Sequence, residues 1–374
     1  MDWPTTPPIA PGFLELSEVL TALRAEAGDD ISGRPSDGVL AALATTGVLR
    51  LPIATEYGGL GADWREANAV IAALARADAS VAIIVFLHYA ALSRIIAYGS
   101  DEQRKRLLMA VTRDDRIFAS SWSEPGADAA KQNISTRATQ RAEGGWELDG
   151  AKTFTTGAGV ADLYLVLAQT GEGGAQGSYG RSNQGIFVVD STQPGFVVDG
   201  LLDLSGMRRS ATGLIKLSGY VAEAGDVLTH SRETPEAIGH PHTLGLTLGA
   251  VALGVAEEAH DTAVEVGRRR DLLESPLYRH HLFELGSQLA AVRGVVESAT
   301  GALGDRTGPA LTAKVFGSET AEAMCRTAQA LAGSAAFSRG HALNRLAQDA
   351  RALTLMGPPN YLCRELVAAR VLKP

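Results

Sequence analysis

The chain has 374 residues, 45% hydrophobic and 20% charged, which is the composition of a globular protein with room for two or three domains. Its 42 acidic residues against 34 basic ones leave a formal charge of −8, which repels a phosphate backbone and argues against a nucleic-acid partner. Met1-Asp2-Trp3-Pro4 has neither a basic nor an apolar leader character, and no uninterrupted apolar run of about 18 residues follows, so a cytoplasmic protein with no membrane partner is expected.

Residues 1–115 read as a helical domain, with apolar residues at helical spacing in Val39-Leu40-Ala41-Ala42-Leu43 and Ala69-Val70-Ile71-Ala72-Ala73-Leu74. The segment Leu51 to Gly61 interrupts it with a proline and three glycines. Ser100 followed by Gln103 is a capping-box pattern that predicts a helix start. Between 116 and 232 short apolar or alternating runs, such as Leu163-Tyr164-Leu165-Val166-Leu167 and Ile186-Phe187-Val188-Val189, predict an antiparallel sheet or small barrel. The Gly-, Ser- and Gln-rich stretch Thr170 to Gln184 reads as an exposed hairpin loop. From 233 to 374 the helical period returns, with long segments at 243–269, 277–304, 309–332 and 340–356 that predict an antiparallel four-helix bundle. The fold class is therefore α+β, ordered helical domain, β domain, bundle. Cys325 and Cys363 fall on predicted helices, where reduced core thiols are expected, and no Cys/His spacing of the zinc type calls for a metal. No Gly-rich dinucleotide fingerprint sits at a strand-to-helix junction, which disfavours a Rossmann domain.

Several segments, taken in order, resemble the acyl-CoA dehydrogenase superfamily. Glu56-Tyr57-Gly58-Gly59-Leu60-Gly61 is similar to its E-Y-G-G-L-G loop, and Tyr98-Gly99-Ser100-Asp101-Glu102-Gln103 to its Y-G-S-E-E-Q helix start. Ser123-Glu124-Pro125-Gly126, Leu148-Asp149-Gly150-Ala151-Lys152-Thr153-Phe154-Thr155-Thr156-Gly157 and Gly206-Met207-Arg208-Arg209-Ser210-Ala211-Thr212 match motifs of its middle domain. Arg345, Asp349 and Arg351 resemble the E-R-x-x-R-D-A-R of its last helices. The resemblance spans about 35–370 and implies FAD as cofactor and a homotetramer or homodimer.

It also assigns residues. Trp122, Ser123, Phe154 and Thr156 take positions that meet the isoalloxazine ring, where a flat apolar face and hydrogen-bond donors are needed. Core aromatics and turn residues are the plainer reading of the same four. Arg270 takes the register of an arginine that reaches the FAD pyrophosphate across a subunit interface, His281 stands at the motif's glutamine, and Gly333-Ser334 resembles a turn near the adenine half. A solvated basic run at a helix C-terminus is the alternative for Arg268-Arg269-Arg270.

The family's catalytic glutamate is missing. Met356 precedes Gly357 where that base stands, and the second location used by some members, near Leu244, also lacks a carboxylate. His242 and Asn360 are the nearest polar substitutes, and His88 is a further candidate to hold or protonate an oxygen species. For His242 the plainer reading is a surface histidine beside Pro241, and for His88 a buried helix histidine. Glu319, and Asp349 with Arg351, read as helix-packing ion pairs. Met356-Gly357-Pro358-Pro359-Asn360 resembles the endings of the oxygenase branch. Two functions follow: a reduced-flavin-dependent monooxygenase on a small or carrier-bound metabolite, served by a flavin reductase, or an acyl thioester dehydrogenase with a non-standard base, discharging to an electron-transfer flavoprotein. A non-catalytic flavin-binding subunit is the remaining alternative.

Overall fold

The computed structural model describes residues 16–28, 32–177 and 179–372. Short polar side chains set where the N-terminal helices begin. Ser36 caps α2 (Asp37–Thr45), Asp63 caps α3 (Trp64–Ala77) in a box with Glu66, Asp78 caps α4 (Ala79–Tyr98), and Ser100 caps α5 (Asp101–Asp114). The expected Ser100–Gln103 box forms, and the Gln103 amide also donates to Gly225 O and Val227 O, tying the helix to the β domain. The helix α1 (Ser17–Glu26) precedes these. Between α2 and α3 the glycine loop turns tightly: a Cβ on Gly59 would stand 2.0 Å from Ile53 O.

The helix α4 is apolar almost all round, and 16 of its 20 residues are buried. Among the described residues it is the one helix long and apolar enough to cross a membrane, yet 89% of its apolar window is covered by the protein itself. It is the core helix against which the other layers pack.

The middle of the chain forms strands β1 (Phe118–Ser121), β2 (Arg137–Gln140), β3 (Trp146–Thr155), β4 (Leu163–Gln169), β5 (Gln184–Asp190), β6 (Phe196–Leu201), β7 (Gly213–Ala222) and β8 (Val227–His230). They make a single sheet in the order β6-β7-β3-β2-β4-β5-β8, with β1 attached to β4. The sheet is mainly antiparallel, as expected, with two exceptions: β1 runs parallel to β4 and β2 touches β4 in parallel register. Strands β4 and β5 are buried on both faces, so their continuous apolar runs carry no alternation to reveal direction. The Thr170 to Gln184 stretch joins antiparallel β4 and β5 with Gly171, Glu172, Gly173, Ala175 and Gln176 exposed, and it is anchored where Gln184 is buried and Gly177 lies close to Pro235.

The C-terminal helices are α6 (Thr234–Thr243), α7 (Gly249–Arg269), α8 (Pro276–Gly301), α9 (Thr307–Ala332), α10 (Ala342–Leu355) and α11 (Asn360–Val371). Four match the expected bundle. Helix α6, with Pro241 inside it, lies outside those four segments, and α11 is the helix that carries Cys363. Cys325 and Cys363 are separate buried thiols.

Close backbone approaches lock the layers together. A Cβ on Gly254 of α7 would meet Ala72 O of α3 at 2.3 Å, and one on Gly206 would meet Gln348 O of α10 at 2.2 Å. Beside that contact Asp349 Oδ1 accepts from the Met207 amide at 2.6 Å, and Arg209 pairs with Asp78 at 2.7 Å and with Glu26. The expected pairing of Asp349 with Arg351 is thus replaced by a cap on the 206–212 loop, while Arg351 lies 3.6 Å from Glu322. Glu319 pairs with Arg364 at 2.7 Å.

Candidate active site

Sheet, core helix and bundle leave a cleft of about 560 Å³ between them. Its β-domain wall is made by Trp122 and Ser123, just past β1, and by Phe154 and Thr156, at the end of β3. All four ring-contact candidates therefore meet in one place. Phe154 sits at φ 50°, a left-handed conformation that a bulky residue adopts only under constraint, and its side chain is 62% exposed on the cleft. Exposing a phenylalanine from strained backbone is unfavourable unless a flat apolar partner covers it.

The two hydroxyls are set for donation. Thr212 donates to Thr156 Oγ1 at 3.1 Å and is itself 2.7 Å from Ser210. Lys131 Nζ donates to Ser123 Oγ at 2.9 Å. With each oxygen already accepting, the hydroxyl hydrogens of Ser123 and Thr156 are available to acceptors in the cleft. Apolar walls and two convergent donors fit the isoalloxazine ring of a flavin.

Across the cleft stand Leu355, Met356, Gly357 and Pro359, with Gln348 and Arg351 as the polar groups. Met356 does occupy the wall opposite the β domain. The turn behind it is gripped by Lys314, whose ammonium donates to Met356 O at 3.2 Å, Pro358 O at 2.9 Å and Asn360 Oδ1 at 2.6 Å. Asn360 is buried, its amide nitrogen donates to Ser318 and Glu319, and it lines neither cavity described here. Its place is behind the wall, so the expectation of a catalytic role is corrected to a packing one.

A second cavity of about 610 Å³ adjoins the first across Phe86, Leu87, Trp122, Tyr179 and Gly357. His242 lines it, half-buried on α6, with Nδ1 3.4 Å from Leu246 O. Burial pushes its imidazolium pKa down to about 4, so the ring is neutral near pH 7 and able to accept a proton. Among the described residues Glu236 is the one carboxylate lining either cavity, and it is exposed.

His88 lies elsewhere. It is fully buried, with Nε2 2.8 Å from Leu49 O and Nδ1 accepting from the Phe118 amide at 3.0 Å. Both ring nitrogens serve backbone groups, burial holds the pKa near 4, and the residue lines neither cavity. The chemical role expected for it is therefore corrected: His88 pins α4 to β1 and to the loop before α3.

The remaining cofactor candidates gather at a different surface. Arg268 and Arg269 lie near Glu265, while Arg270 places a guanidinium nitrogen 3.8 Å from where a Cβ on Gly333 would stand. Arg270, Gly333 and Ser334 are all exposed, and His281 stands partly exposed on α8, 3.3 Å from Glu284. None of these lines the cleft.

Three residues escaped sequence reasoning. Arg94, a lone cation inside apolar α4, donates to Ala90 O, Ala237 O and Ile238 O at 2.8–2.9 Å and holds its guanidinium 5.2 Å from the Trp122 ring. Burial lowers its pKa to about 10. A single arginine in a 20-residue apolar helix was the available signal. Lys131 and Tyr179 lie in Gly- and Ser-rich loops, where spacing carries no information about what a side chain faces.

Family models of acyl-CoA dehydrogenase match three regions: the N-terminal domain over 17–115, the middle domain over 119–219 and the C-terminal domain over 245–372. A 3-sulfinopropanoyl-CoA desulfinase of Cupriavidus necator is 28% identical over 349 residues, covering 88% of this chain and 86% of its own. Among solved structures, butyryl-CoA dehydrogenase from Megasphaera elsdenii superposes with a TM-score of 0.87 at 22% identity over the whole of both chains. The FAD complex of PigA superposes with a TM-score of 0.84 at 19% identity, covering 94% of each.

Proposed function

The chain belongs to the acyl-CoA dehydrogenase family of FAD-dependent oxidoreductases, and from that premise we propose that it is a reduced-flavin-dependent monooxygenase acting on a small or carrier-bound metabolite. One observation carries the reading: among the described residues lining the cleft none is an aspartate or glutamate. Glu124, the carboxylate nearest in sequence, is turned away and bound by Lys152 at 2.5 Å, Ser135 and Thr136. Abstraction of a weakly acidic α-proton requires a base within hydrogen-bond reach. Oxygen chemistry on reduced flavin instead requires a dry pocket, and the cleft walls of Ile83, Phe86, Leu87, Leu355 and Met356 supply it.

In this reading Trp122, Ser123, Phe154 and Thr156 hold the ring, which supplies the redox chemistry when bound. Tyr179 and Trp122 separate it from the cavity that holds His242, where substrate would lie. The exposure of Arg270 beside Gly333 and Ser334 fits a cofactor phosphate reached from a second copy of the chain, so a homodimer or homotetramer belongs to the proposal, with a flavin reductase as partner.

The neutral His242 lining the second cavity favours a second reading, an acyl thioester dehydrogenase with that imidazole as base and an electron-transfer flavoprotein as acceptor. Anaerobic mixing of the FAD-loaded protein with butyryl-CoA separates the two. The monooxygenase reading expects the flavin absorbance to persist; rapid bleaching, abolished in H242A, establishes the dehydrogenase instead. Stopped-flow reoxidation of the reduced protein in aerated buffer should show an oxygen-dependent lag before the oxidised spectrum returns.

A further inference from the structure

Lys131 has no part in the family motifs, yet it lines the cleft and is 92% removed from solvent, since only 8% of its surface is exposed. Its backbone is left-handed, at φ 59°, in a residue type that avoids that region. The conformation is held from several sides. Its amide donates to Asp128 O at 3.2 Å, its carbonyl accepts from Gln184 Nε2 at 2.8 Å, and the neighbouring Ala130 O accepts from Gly180 at 2.7 Å. From this braced backbone the ammonium reaches Ser123 Oγ.

No carboxylate neutralises that ammonium within ion-pair distance among the described residues. Glu124 is occupied by Lys152, Ser135 and Thr136, and Asp128 accepts from the amides of Gln132 and Asn133. An ammonium is a donor only, so Ser123 must accept from it and direct its own hydrogen elsewhere. The cleft is where that hydrogen can go. A positive charge one hydrogen bond behind a donor to a ring acceptor stabilises negative charge on that ring, and stabilises it more in a low-dielectric site than in water.

We infer that Lys131 is a positioning residue that acts through Ser123 to favour the reduced flavin over the oxidised one. The inference rests on the flavin occupying the cleft, and not on which reaction follows. Its readout is the midpoint potential of bound FAD, measured by equilibrium with a reference dye. In K131M the ratio of reduced to oxidised flavin at a fixed potential should fall about tenfold, equivalent to about 30 mV for a two-electron couple. K131R, which keeps the charge, should retain most of the wild-type potential, and S123A should lower the potential and render K131M without further effect.

A K131M protein with bound FAD and an unchanged potential overturns the inference while leaving the cofactor site intact. If K131M releases FAD, dissociation constants for the oxidised and reduced cofactor give the same ratio: weaker binding of the reduced form by a further factor of about ten supports the inference, and equal weakening of both overturns it. A wild-type protein that binds no FAD overturns the cofactor site and this inference together. A potential that moves in K131M and K131R alike marks Lys131 as packing only and overturns it as well.

Discussion

On the β-domain side of the cleft, Ser123 and Thr156 offer hydroxyls whose oxygens are already engaged and whose hydrogens are free to be given. On the bundle side, Leu355 and Met356 offer hydrocarbon and a thioether, and the nearby ammonium of Lys314 is turned to backbone carbonyls behind the wall. One wall presents hydrogen-bond donors; the other presents hydrocarbon and a thioether, which take no proton. The contrast teaches that the two halves of a flavoenzyme site can be altered separately, because different domains supply them.

Giving the bundle wall a base is the most direct way to break this contrast. M356E should raise the rate of anaerobic flavin bleaching by butyryl-CoA by about 10²–10⁴-fold over wild type, the range of a positioned general base. No gain at all would mean that residue 356 does not face the reacting carbon. On the β side, K152M leaves Glu124 buried without its cation, and urea denaturation should show a loss of about 3–5 kcal/mol, with little change in cleft shape if the domain still folds.

Acid should act more gradually. His88 and His242 have folded pKa values near 4 against 6.5 in the unfolded chain. The unfolded state therefore binds more protons, so stability is complete above about pH 6.5 and falls as pH drops towards 4, by up to about 1.4 kcal/mol per pH unit for each histidine. Thermal melts across that window should flatten in H88Q and H242Q. Below it Glu124 adds its own loss. Burial alone would raise that carboxyl, but Lys152, Ser135 and Thr136 outweigh it and hold it down to about 2, so its contribution fades as pH falls from about 4.5. The smallest effect on binding is T156A, which removes one donor and should weaken FAD binding by about 1 kcal/mol, or roughly fivefold, in a fluorescence titration.

Much of the architecture was legible in the residues. The Ser100–Gln103 box, the return of the helical period after residue 240 and the apolar runs at 163–167 and 186–189 all became the elements they predicted. The parallel placement of β1 beside β4 was not legible, because β4 is buried on both faces and its pattern does not alternate. Motif order picked out Trp122, Ser123, Phe154 and Thr156, which line one cleft. His88 and Asn360 were placed in the chemistry because a polar residue near a motif looks the same in sequence whether it faces a cavity or a carbonyl. Arg94, Lys131 and Tyr179 depend on long-range packing, such as Arg94 reaching carbonyls 143 and 144 positions away, which no local spacing records.

The grip of Lys314 on the turn from Met356 to Asn360 has a consequence for how such a protein can change its trade. Every bond in that grip goes to a main-chain oxygen or to Asn360, and none to the thioether. The scaffold at this corner is consequently indifferent to what is mounted on it, so one codon at position 356 could exchange an inert plug for an acid while the surrounding frame stays where it is.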